Sequence, residues 1–127
     1  KNALRAVERH PFSTEVTELS ELKRLLNRNR DLLLKLMENP ILLEHEMFSE
    51  LIMALFHLGK ELSARLDLKA LGQNDLDHIR NDVARVYRAL LKQWILYIRH
   101  LKDEYPFLYS FAVRTNPFDK AARVEFT

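Results

Sequence analysis

NDLDHIRNDVARVYRALLKQWILYIRHLKDE, residues Asn74 to Glu104, is the stretch that decides the fold. Leu76, Ile79, Val83, Val86, Leu90, Trp94, Tyr97 and Leu101 recur at intervals of three and four, so they line one face of a helix. No Gly or Pro interrupts the run. Asn74 reads as its N-cap, with Asp75 and Asp77 placed favourably against the positive end of the helix dipole. A helix over 75–104 is predicted, about 45 Å long.

Working outward, Pro106 suits the first turn of a short helix over about 106–114, and Asn116-Pro117 ends it. Upstream, a second helix is predicted over 42–64. Met47, Phe48 and the run Leu51 to Phe56 make it apolar almost all round, which suits a central position. Gly59 within it suggests a close helix crossing. A first helix is predicted over 14–38, opened by Ser13 or Thr14 and stopped by Asn39-Pro40. Short connections favour antiparallel neighbours. The fold class is therefore all-α, a helical bundle of three long helices with one or two short ones. Residues 1–12 read as a lead-in, 13–118 as one domain and 119–127 as a flexible tail.

Composition agrees. The chain has 127 residues, with 47% hydrophobic and 30% charged, enough for one packed core without staples. Gly 2 and Pro 4 are too few for a turn-rich β protein. The absence of Cys excludes disulfides and thiolate metal sites. A net charge of +2 gives no reason to expect nucleic acid. No apolar run reaches the roughly 18 residues of a membrane span.

The chemistry-bearing residues are sparse. Two glycines cannot build a phosphate loop, and no Glu-x-x-His or His-Glu-x-x-His occurs. His57 with Glu61, His78 with Asp82, and His100 with Glu104 each stand four apart and read as structural pairs on helix faces. No catalytic residue, cofactor or metal ligand is assigned, and the chain is not expected to be an enzyme. A metal-dependent bundle enzyme using Glu50, His57 and Glu61 is the least favoured alternative.

Two segments read as candidate interfaces. Leu19, Leu22, Leu26, Asn29, Leu33 and Leu36 are spaced like heptads, with Asn29 at an inward position that could set register in a coiled coil. The same stripe could instead pack within the bundle. Tyr105, Phe107, Tyr109 and Phe118 either cap the core or form a docking patch. A stand-alone adaptor would present a groove rimmed by Trp94, Tyr97, Phe107 and Tyr109. Lys23, Arg24 and Arg28 could touch anionic lipid if a membrane lay close.

Leu42 to Phe48, Ala54 to Leu58 with Glu61-Leu62, and Trp94 to Phe118 together resemble a segment of prokaryotic potassium-channel-like proteins. In that run His100-Leu101-Lys102, Tyr105-Pro106 and Ala112 to Phe118 carry most of the likeness, which spans roughly 31–118. The resemblance implies a cytosolic helical region at the inner face of the cell membrane. It would adjoin a two-helix transmembrane pore, form homo-oligomers, and serve assembly or gating. A filter sequence such as Thr-Val-Gly-Tyr-Gly occurs nowhere in the chain, so no residue here inherits a role in conduction.

Overall fold

The computed structural model describes residues 16–126; the lead-in over 1–12 and the proposed caps Ser13 and Thr14 lie outside them. The described residues are helical with no strand. Six helices follow in order: α1 Val16–Arg28, α2 Arg30–Met37, α3 Pro40–Leu43, α4 Glu46–Ala64, α5 Gln73–Glu104 and α6 Pro106–Arg114. A 3-10 turn, Leu68–Ala70, lies between α4 and α5. No described helix is long and apolar enough to cross a membrane.

The expected first helix is two. At Asn29 the backbone leaves helical geometry, and the side-chain amide donates to Leu25 O at 2.9 Å, alongside the backbone N–H at 3.2 Å. A short amide competing for the i−4 carbonyl bends a helix. The expected second helix is also divided. Asn39 Oδ1 accepts from Ile41 N at 3.0 Å and starts α3 around Pro40. His45 then takes an extended conformation and begins α4. The long helix starts at Gln73 after Gly72, two residues before the start expected from an Asn74 cap. Its 32 residues span about 48 Å.

The core lies where α1, α2, α4 and the first half of α5 meet. Leu19, Leu26, Leu33, Leu51, Ile52, Leu58, Leu62, Ile79, Val83 and Val86 are buried together there. Each belongs to a three-four stripe, so the apolar faces close on one another and leave the charged faces in water. Gly59 does not enable an unusually close crossing. A Cβ there would meet Leu26 Cβ at 3.8 Å, ordinary contact that alanine would tolerate.

Beyond Ala89 the long helix runs past this core, and α6 folds back along it through buried Leu101 and Ala112. Residues 119–126 do not extend away. Arg123 N donates to Arg114 O at 2.8 Å, and the Arg114 guanidinium sits 4.0 Å from the Phe126 ring centre.

Candidate metal centre

The two histidine–carboxylate pairs of the middle helices meet. His57 and Glu61 are one turn apart on α4; His78 and Asp82 are one turn apart on α5. The helices are joined by a short connection and run antiparallel, so His57 faces Asp82 and Glu61 faces His78. His57 Nε2 lies 3.2 Å from Asp82 Oδ2 and 3.6 Å from Glu61 Oε1. His78 Nε2 lies 3.4 Å from Asp82 Oδ2 and 3.6 Å from Glu61 Oε1. All four donor atoms fall within 4.8 Å of one another.

Those spacings suit one cation. Zinc bonds to His nitrogen and carboxylate oxygen at about 2.0–2.2 Å, so neighbouring ligands in a tetrahedral site stand about 3.3–3.6 Å apart. Asp82 forms the floor at 4% exposure, and the imidazoles form the mouth at 47% and 50%. Among the described residues Asp82 Oδ2 accepts no well-aligned hydrogen bond, although ring nitrogens stand at 3.2 and 3.4 Å. A buried carboxylate oxygen without a donor is costly, and a shared cation is a common resolution.

Arginines hold the outer oxygens. Arg65 Nη1 donates to Glu61 Oε2 at 2.6 Å, while its Nε and Nη2 grip Asp75 at 2.9 and 2.6 Å. Arg85 Nη1 donates to Asp82 Oδ1 at 3.3 Å. Each carboxylate therefore offers one oxygen to an arginine and the other to the cluster. Lys23 Nζ donates to Arg65 O at 2.7 Å, which ties α1 to the same corner.

The Arg65 hydrogen bond holds the Glu61 carboxyl below its ordinary range, and Arg65 does the same for Asp75. Their partnership raises the guanidinium in turn. Carboxylates with depressed folded-state pKa stabilise the fold above their unfolded pKa. That contribution is lost as pH falls through the folded value. Acid unfolding of the metal-free protein is therefore expected to begin as pH drops below the ordinary carboxylate range of about 4. The Arg65→Met variant should show a shallower loss of melting temperature between pH 5 and pH 2.5; an identical slope would show that this bridge carries none of it.

Spacing along one helix reports each i, i+4 pair but not which pairs meet across two helices. Two His-x-x-x-carboxylate pairs on helices joined by a short connection were the available signal. Glu50 is not in the cluster; it lies beside Asn81, Arg85 and Lys92. His100 stands apart as well, edge-on to Tyr105 at 5.9 Å.

The candidate interface residues part company. Leu19, Leu26 and Leu33 are buried in the core, and Leu22 and Leu36 pack against it, so the stripe is satisfied within the chain. Asn29 sits at the helix break instead of in a seam. Phe118 packs between Tyr87 and Trp94, with ring centres at 5.8 and 6.1 Å. Tyr105 and Phe107 are exposed. Trp94 and Tyr109 line a groove between α5 and α6, but Tyr97 and Phe107 do not. Lys23 and Arg24 are engaged within the protein, the latter with Glu21 at 3.2 Å.

Comparison with known proteins corrects the channel resemblance. The family described as "Uncharacterized protein MJ1433, C-terminal helical domain" matches residues 1–114. The chain is 57% identical over 105 residues to "Uncharacterized protein MJ1433" of Methanocaldococcus jannaschii, covering 83% of this chain and 42% of that protein. The chain thus spans less than half the length of that relative. Nothing in these matches points to a potassium channel. The runs that carried the likeness, His100-Leu101-Lys102, Tyr105-Pro106 and Ala112 to Phe118, are short, and short runs recur in unrelated chains. No solved structure matches the chain. With the family matching nearly all of its length, the chain belongs to the family of the MJ1433 C-terminal helical domain.

Proposed function

We propose that this domain binds one divalent transition-metal ion through His57, Glu61, His78 and Asp82, and that the ion cross-links α4 to α5 in a non-catalytic helical module. The observation that carries this reading is the convergence of two Nε2 atoms and two carboxylate oxygens at 3.2–3.6 Å across two helices. Imidazole with carboxylate suits zinc, iron, cobalt or nickel; calcium and magnesium prefer all-oxygen shells. Two carboxylates also neutralise a dipositive ion.

The test is calorimetric titration of chelator-stripped protein. One Zn2+ or Co2+ should bind per chain, with no comparable binding of Mg2+. Binding should weaken on acidification, because protons compete for imidazole and carboxylate. Absence of one-to-one binding by both transition ions would end the proposal.

A further inference from the structure

Resting on the metal-binding reading, we infer that Arg65 and Arg85 determine which ion the centre accepts, by occupying the second oxygen of each carboxylate ligand. Glu61 Oε2 is held by Arg65 at 2.6 Å and Asp82 Oδ1 by Arg85 at 3.3 Å. Neither carboxylate can then close on an ion through both oxygens without breaking a charge-assisted hydrogen bond. The protein contributes two nitrogens and two oxygens, a four-donor set. That set suits zinc and cobalt in tetrahedral geometry. It disfavours calcium, which takes six to eight oxygens, and manganese, which favours oxygen-rich octahedral sites.

Arg65 is placed for more than a surface ion pair. It caps the end of α4, and its guanidinium spans from Glu61 to Asp75 in the first turn of α5. Nη1 holds Glu61 directly, donating to its backbone O at 2.7 Å as well as to Oε2, and this leaves Oε1 toward both histidines; the Asp75 contact uses the other edge of the guanidinium. Outer partners of this kind hold a ligand's orientation and typically change affinity by about 10–100-fold when removed. Arg65 and Arg85 are thus positioning residues, acting on the ion through the carboxylates.

Cobalt reports the outcome directly, since four-coordinate Co2+ absorbs visible light far more strongly than five- or six-coordinate Co2+. The wild-type protein should give the intense spectrum. In Arg65→Met, Glu61 is free to bind through both oxygens. The absorption should fall, Zn2+ affinity should drop about 10–100-fold, and the preference for Zn2+ over Mn2+ should narrow. Asp75→Asn removes a charge from the first turn of α5 but leaves Arg65 Nη1 on Glu61, so it should lower stability while largely keeping the spectrum. If Asp75→Asn changes spectrum and affinity as much as Arg65→Met does, the role of Arg65 is structural and the inference fails. Arg85→Met tests the second carboxylate at a more exposed position and serves should Arg65→Met not fold. Unchanged cobalt spectrum and zinc affinity in the folded arginine variants, with the wild type binding normally, would overturn the inference and leave metal binding intact. A wild type that binds neither ion would remove both.

Discussion

Asp82→Asn is expected to lower Zn2+ affinity by at least about a hundredfold while making the metal-free protein slightly more stable. The two effects share one cause. Asp82 is nearly fully buried, its Oδ2 accepts no well-aligned hydrogen bond among the described residues, and the Glu61 carboxylate lies across the same cluster. Without a cation, two carboxylates close together in a partly dry site oppose each other. An amide of the same shape removes that repulsion. Its oxygen can still accept from Arg85, and its NH2 can donate to a neutral imidazole. The gain should be about 1 kcal/mol. The amide is a poor metal ligand without charge, so the affinity loss should exceed the range seen for outer partners. Opposite signs for stability and binding are the mark of a residue kept for function. Thermal melts with and without Zn2+, on both proteins, check it. A variant that binds Zn2+ like the wild type would remove Asp82 from the centre. A metal-free variant several degrees less stable would show that Asp82 serves the fold through its neighbours' charges.

The second large effect is mechanical. Leu58→Ala should cost about 2–5 kcal/mol, because Leu58 is 0% exposed at the heart of the α1, α4 and α5 packing and alanine leaves a cavity there. Leu66→Ala, eight residues on and 95% exposed, should change stability by less than about 0.5 kcal/mol. Urea unfolding measures both, with the slope unchanged if the unfolded states are alike. Equal losses at the two positions would contradict the assigned core. Leu58 also follows His57 in the chain, so its loss should weaken metal binding through helix placement alone. Asp82→Asn and Leu58→Ala together therefore separate a ligand from its scaffold.

The helical character and most of the core were legible from residue spacing. The three-four recurrence through Leu76, Ile79, Val83 and Val86 marks the buried face of α5, and three of those four are buried as expected. Pro106 and Asn39-Pro40 marked helix starts and ends because proline's missing donor acts locally. Less legible were the breaks at Asn29 and at Glu44-His45, where side-chain and backbone hydrogen bonds compete within an unbroken apolar pattern. The channel likeness misled for a different reason, since the short runs that carried it recur in unrelated chains.

Periodicity by itself determined that this chain is helical and which faces turn inward, because burial of an apolar stripe depends on spacing along one helix. The meeting of His57, Glu61, His78 and Asp82 depended on the register of α4 against α5, which the 65–72 connection and the packing of Leu58, Leu62, Ile79 and Val83 set together. A shift of one residue along either helix would turn its pair by about 100° and leave two ordinary surface ion pairs. The elements were therefore written in the sequence, and the candidate centre was decided only by how two of them align.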